Sequence, residues 1–212
     1  MGQTHDTLHE VKKSPAKLLR GSGVAVENEE QHWYIAECKP TKERTVRTML
    51  QNANYKVFLA SRTEEKIYSN RTRHTKETIL IPGKVFVYTE KSKLMDILLG
   101  FSSVWRFMMT RTNQDRDYAF VPDGEMQQMM YIIGKANNPI QITAENLKID
   151  QRVRVMRGAL EGLEGGFHKE GHASYIVIKV SMGSNHYVYT EVPIEDIQPL
   201  WTYSKNKKIS IC

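Results

Sequence analysis

Trp33-Tyr34-Ile35-Ala36-Glu37-Cys38 is an almost unbroken apolar run, closed by Lys39 and Pro40. It reads as the first strong strand of the chain, because aromatic and β-branched residues favour a pleated backbone and proline ends the ladder. A helix follows it. Val46, Met49, Leu50 and Ala53 recur at i, i+3, i+4 and i+7 and make one apolar stripe. Thr41 is placed to cap that helix, and Arg44, Thr48 and Gln51 lie on its opposite face with Arg47 at the margin.

Further along, Tyr55 to Leu59 and Lys66-Ile67-Tyr68 are short strand-like runs, and Asn70 to Lys76 is a basic turn. Thr78 to Ile81 then leads through Pro82-Gly83 into Val85-Phe86-Val87-Tyr88. Pro-Gly inside a β run interrupts the ladder and redirects the strand. Ser92 is placed to cap a short helix that Gly100 closes, and Val104 to Met109 is a further strand. Pro122-Asp123-Gly124-Glu125 opens another helix, with Asp123 as cap and Glu125 suited to the positive helix end. Met126, Met129, Met130 and Ile133 form its apolar stripe, read as core filling. Strands alternating with helices in this order predict a largely antiparallel sheet with helices packed on it.

Ala136-Asn137-Asn138-Pro139 marks the start of a linker, assigned to 137–146, and a second unit of different character occupies 147–204. Arg152-Val153-Arg154-Val155 alternates strictly, Tyr175 to Val180 is β-branched and aromatic, and His186 to Val192 follows the turn Gly183-Ser184-Asn185. Several short strands with glycine turns predict a small all-β barrel. The fold class is therefore α+β: an N-terminal antiparallel sheet flanked by helices over 31–136, then the barrel. Residues 1–30 read as a polar flexible arm with a short helix near Thr7 to Leu19, and 205–212 as a tail.

Charge separates the units. Residues 31–138 carry 17 Lys and Arg against 11 Asp and Glu, whereas 146–204 carry 6 against 7. The basic surplus fits a polyanion partner or, equally, an ordinary solvated charged face, and the near-neutral second unit points toward a protein partner. The longest apolar candidate, Leu94 to Phe107, is interrupted by Asp96, Gly100 and Arg106, so no membrane span is expected. Two cysteines, Cys38 and Cys212, form neither a disulfide framework nor a zinc constellation. With no apolar leader, a cytoplasmic location is expected.

Val153-Arg154-Val155-Met156-Arg157-Gly158-Ala159-Leu160-Glu161-Gly162-Leu163-Glu164-Gly165 resembles the KOW motif, an alternating strand followed by spaced glycines, here Gly158, Gly162 and Gly165. Ala159-Leu160 stands where the motif usually has Pro-Phe. The Trp-Tyr strand, the basic helix and the Pro-Gly break before Val85-Phe86-Val87 resemble the N-terminal domain of the NusG family. Family members often have Phe at the position of Ile81 and an aromatic residue at that of Lys84. Ala36-Glu37-Cys38-Lys39-Pro40 and Val104-Trp105-Arg106-Phe107 are similar to the specialised RfaH-like and UpxY-like antiterminators, the latter associated with capsular polysaccharide operons.

The resemblance implies a monomeric transcription elongation or antitermination factor without a cofactor. Its first domain would bind RNA polymerase through Ile81 and Phe107, with Trp105 and Val121 as neighbours. Ordinary core packing is the alternative for each, and the stronger one for Phe86. Lys39, Lys42, Arg44 and Arg47 would lie near the non-template DNA strand or nascent RNA, with Arg71 and Arg73 as a second contact. A solvated helix face is the alternative there. The barrel would recruit a ribosomal protein or the termination factor Rho. RfaH can fold this domain as helices, but the run Tyr175 to Val180 favours strands.

Two other functional classes compete with this reading. No G-x-x-x-x-G-K or G-x-S-x-G occurs, which argues against an enzyme. His168-Lys169-Glu170-Gly171-His172 imitates a zinc-protease motif but has the glutamate misplaced and a glycine inside, and it reads as a glycine-rich loop. A ribosome-associated or free RNA-binding KOW protein explains the barrel and the charge, but not the ordered features of the first domain.

Overall fold

The computed structural model describes residues 30–67, 73–111 and 116–200. The arm, Tyr68, Arg71, Cys212 and the C-terminal tail lie outside them. The first unit runs β1 (His32–Cys38), α1 (Glu43–Asn52), β2 (Lys56–Phe58), β3 (Ser61–Ile67), β4 (Arg73–Ile79), β5 (Lys84–Thr89), α2 (Leu94–Gly100), β6 (Val104–Phe107), β7 (Met109–Arg111), β8 (Arg116–Tyr118), β9 (Phe120–Val121) and α3 (Asp123–Lys135). The second comprises β10 (Ile140–Thr143), β11 (Gln151–Val155), β12 (Glu164–Glu170), β13 (Ala173–Ser181), β14 (Asn185–Glu191) and β15 (Ile197–Pro199).

Every strand pair is antiparallel, and the first sheet is ordered β2-β5-β1-β6 with β9 also on β1. Both of its faces are covered, which is why the run at Trp33 is apolar without alternation. Tyr34, Ala36, Cys38, Val85, Val87 and Phe107 pack with Val46 and Leu50 of α1 and Leu94 and Ile97 of α2. Trp33, Ile35, Phe86 and Val121 point the other way, toward Met126, Met129, Ile132 and Ile133 of α3. Burying each large aliphatic chain stabilises the unit by about 1.5–3 kcal/mol. The α3 stripe thus uses Ile132 fully, while Met130 is only partly buried.

Helix ends depart from expectation. Thr41 does not cap α1: Lys42 holds the cap position, without a side-chain hydrogen bond. Thr41 is instead committed to the turn after Pro40, closed by Lys42 N–H donating to Lys39 O at 3.0 Å, with φ +81°. At its other end α1 stops in a Schellman arrangement: Tyr55 N–H reaches Leu50 O at 3.0 Å and Asn54, at φ +63°, donates to Gln51 O at 2.9 Å. Ser92 lies within a short 3-10 turn, Lys91–Lys93, that leads into α2, so Lys93 rather than Ser92 precedes the helix. Gly100 is the last helical residue, followed by extended Phe101, and closes nothing by a left-handed turn. Pro122 precedes α3 and Asp123 is its first residue.

Three other segments differ. Arg73 to Lys76 belong to β4, hydrogen-bonded to β3, rather than to a turn. Residues 140–143, inside the assigned linker, form β10 on the edge of the second sheet. His168, Lys169 and Glu170 are in β12, with Gly171 and His172 turning the chain into β13, so the supposed loop is a hairpin.

The second sheet is ordered β10-β14-β13-β12-β11-β15. Its inner face carries Val153, Val155, Ile176, Ile178, Val180 and Val188. Residues 144–150 cross its outer face as a strap: Tyr187 Oη donates to Asn146 Oδ1 at 2.8 Å, and the His168 ring bonds Lys148 O at 2.8 Å. The two units pack together through α3 and β13, and one apolar cluster runs through both.

Candidate functional site

The site is built where β1 ends and the Pro82-Gly83 turn meets it. Gly83, at φ +74°, accepts from Cys38 N–H at 2.9 Å and donates its own N–H to Glu43 Oε1 at 2.8 Å. A Cβ there would sit 3.3 Å from Cys38 O, so glycine serves both the left-handed φ and the close approach. Glu43 is only 1% exposed, and its second oxygen has no partner among the described residues. Burial, then the neighbouring Glu43 carboxylate, pushes the Cys38 thiol up to about 11. It is therefore a packed, protonated core group rather than a nucleophile.

Beside this turn lies an open groove of about 500 Å³, lined by Glu37, Cys38, Pro40, Pro82, Gly83, Lys84, Trp105 and Arg106. Trp105 is 63% exposed and is the large apolar side chain offered here. Arg106 and Lys84 both pair with Glu37, which neutralises much of the groove wall. The other residues of the expected patch are inside: Ile81 is 7% exposed, Phe107 1%, and Val121 and Phe86 are fully buried. Moreover, Ile81 and Val121 belong to the α3-side core, whereas Phe107 belongs to the α1–α2 side. They lie on opposite sides of the sheet, Ile81 from the bend before Pro82, so they do not assemble into one surface.

The basic residues also divide. Arg44 Nε lies 2.6 Å from Glu77 Oε2 and its Nη2 donates to Glu77 O at 2.6 Å, while Arg47 Nη1 reaches Glu77 Oε1 at 2.8 Å. Ser61 Oγ donates to the same carboxylate at 2.6 Å. These contacts, Ser61 first and then the two guanidinium groups, hold Glu77 down at about 2. They fasten α1 to β4, and both arginines are largely engaged within the protein. Lys39 and Lys42 are exposed and have no ion-pair partner among the described residues. Arg73 is exposed on β4, away from α1's turn in sequence, and Arg71 lies outside the described residues. Glu77 was not foreseen, because nothing in a local pattern links it to residues about thirty positions earlier.

In the second unit the three glycines answer two needs. Gly158 and Gly162 adopt φ +88° and +83°, while Gly165 is tight: a Cβ would meet Val177 O at 2.5 Å. The loop between them faces α3. Tyr131 Oη donates to Glu161 O at 2.9 Å. Glu125, expected to serve the helix end, accepts Ser181 N–H at 2.7 Å and Ser181 Oγ at 3.3 Å. Arg62 adds donations to Asn137 O and Asn138 O at 2.9 and 2.6 Å, which hold the connection. Among the described residues no cluster of His, Cys, Asp and Glu could hold a metal, and no helix is long and apolar enough to cross a membrane.

Comparison with known proteins bears on residues 31–130, which match the family model described as "Transcription termination factor nusG". Among solved structures, one titled "Domain interaction in Thermotoga maritima NusG" aligns at 16% identity over 81% of this chain and 98% of that one, with a TM-score of 0.39. Another, "Crystal Structure of MjSpt4:Spt5 complex conformation B", aligns at 11% identity over 80% and 97%, with a TM-score of 0.27. No curated protein sequence matches.

Proposed function

We propose that this chain, whose residues 31–130 match the NusG family model, is a transcription elongation factor that binds RNA polymerase and suppresses pausing or termination. The observation that carries the reading is the family match over the domain that bears the groove. Binding is the whole of the mechanism. A factor that prefers the active elongation complex over the paused one shifts their equilibrium by the ratio of its two affinities.

Trp105 supplies a polymerase contact of the kind that dominates interfaces, a large aromatic chain beside an apolar groove with a charged rim. Ile81, Phe107 and Val121, the other proposed contacts, are buried on the two sides of the sheet and act through the packing of the domain. Lys39 and Lys42, next to Pro40 in the groove wall, face the displaced non-template strand or nascent RNA, where phosphates attract ammonium groups. Arg44 and Arg47 position the helix, and Arg71 and Arg73 offer a second nucleic-acid contact. The all-β unit recruits a ribosomal protein or Rho. The runs Ala36 to Pro40 and Val104 to Phe107 favour a specialised factor acting at capsular polysaccharide operons.

The test is binding to an elongation complex assembled on a scaffold with a displaced single strand. Lys39→Glu/Lys42→Glu is expected to weaken binding roughly tenfold at low salt and to reduce its salt dependence. Undiminished binding by the folded double variant would remove these lysines from the interface. Co-sedimentation with ribosomes alone would favour the free KOW-protein reading.

A further inference from the structure

The outer face of the second sheet carries a group of aromatic and acidic side chains that neither domain contact nor glycine loop uses. Register puts them together. His168 of β12 is opposite Tyr175 of β13, which is opposite Glu191 of β14. Tyr189 is two residues along β14 from Glu191 and opposite Gln141 of β10, to whose Oε1 its hydroxyl donates at 2.8 Å. Glu170 is two residues along β12 from His168. Residues at these spacings share one face of a sheet. The Tyr175 and Tyr189 rings meet edge to face at 5.6 Å, and the His168 ring lies 6.1 Å from Tyr175.

The charge around the rings is predominantly negative. Glu170, Glu191 and Glu145 of the strap are exposed, and none has an ion-pair partner among the described residues. Burial, then Glu170, with Tyr175 and Glu145 adding to it, holds the Tyr189 phenol above its usual range. Of the nearby cations, Lys148 Nζ is 4.0 Å from Asp150 and Lys169 falls on the other face by alternation, while Lys179 shares the face opposite Tyr187, four residues along β13 from Tyr175, and is outnumbered by the three glutamates. The two tyrosines are half-buried, and the group lies away from the contact between the domains. Ser181, which meets α3, is six residues along β13 from Tyr175, about 20 Å at strand rise.

We propose that this face of β12, β13 and β14 is a docking site for a basic segment of another protein, with arginine or lysine side chains lying on the tyrosine rings and pairing with Glu145, Glu170 and Glu191. Electron-rich ring faces attract cations, and arginine combines ring stacking with a two-pronged donation to carboxylate. Uncompensated glutamates repel phosphate, which sets nucleic acid aside here. The site belongs to the second unit alone and stands whether or not the first domain binds polymerase.

The experiment titrates the full chain with fluorescein-labelled arginine and lysine peptides and with a labelled single-stranded oligothymidylate, read by anisotropy. Glu170→Gln/Glu191→Gln, which keeps both rings, is expected to weaken peptide binding roughly fivefold. Tyr189→Ala should cost the arginine peptide about three- to fivefold. Asp96→Asn, an exposed carboxylate on α2, should leave it unchanged. Equal losses in Asp96→Asn and the glutamate variant would overturn the site as mere bulk charge, as would unaltered peptide binding in the glutamate variant. Patch variants that change oligothymidylate binding instead would assign the face to nucleic acid. Peptide binding that emerges only on deleting residues 201–212 would assign it to the chain's own Lys205, Lys207 and Lys208.

Discussion

At the scale of single residues, Glu77 decides how the basic helix is to be understood. Arg44 and Arg47 were visible in the sequence as a basic helix face, but periodicity sees only within an element. It could not show that both reach one carboxylate on β4. The same blindness affected Ile81 and Phe107, whose apolar character was clear and whose opposite faces were not. Glu77 titrates near 2 in the folded chain, against 4.5 for an ordinary glutamate. Its contacts therefore contribute fully above about pH 4.5, and the contribution is lost as pH falls toward about 2. Glu77→Gln should lower stability at neutral pH by on the order of 1–2 kcal/mol, allowing for solvent screening. The difference from wild type should shrink in acid. Urea unfolding at about pH 7 and about pH 3 measures it, and a difference that does not change with pH would contradict the assignment.

Elements were legible where one interaction type dominated. The Trp33 strand, the α1 stripe and the run from Tyr175 to Val180 stand close to their expected limits. The strand β12 was missed because glycine and charge lower its β-propensity. What makes it a strand is the close passage of β13, and Gly165 is the residue that permits that passage. Gly165→Ala should therefore cost more than about 2 kcal/mol, since backbone rather than a pliable side chain stands in the way. Gly158→Ala, with open space around it and φ +88°, should cost only about 1–2 kcal/mol. Thermal unfolding of both variants tests the ranking, and a wild-type-like Gly165→Ala would refute the close packing of β12 on β13. Caps failed as signals at Thr41 and Ser92, where turn and 3-10 geometry claimed the entry to the helix, and at Asp123, which is the first helical residue with Pro122 in the cap position.

For the whole molecule, the order of features along the chain carried the fold class and the family resemblance, and the match over residues 31–130 agrees with it. The packing of α3 on the second sheet was not legible, because Glu125, Gln128 and Tyr131 look like ordinary solvated positions of a helix. Contacts between domains leave no periodic trace in either one. The central claim, that this surface engages RNA polymerase, is tested most directly by the affinity of the full chain for core RNA polymerase. Wild type and Trp105→Ala would be compared after circular dichroism confirms that both are folded. Saturable binding by the wild type and a loss of about tenfold in the variant are expected, the effect of removing one exposed aromatic anchor. A folded wild-type chain that does not bind polymerase, or a variant that binds as tightly, would contradict the claim.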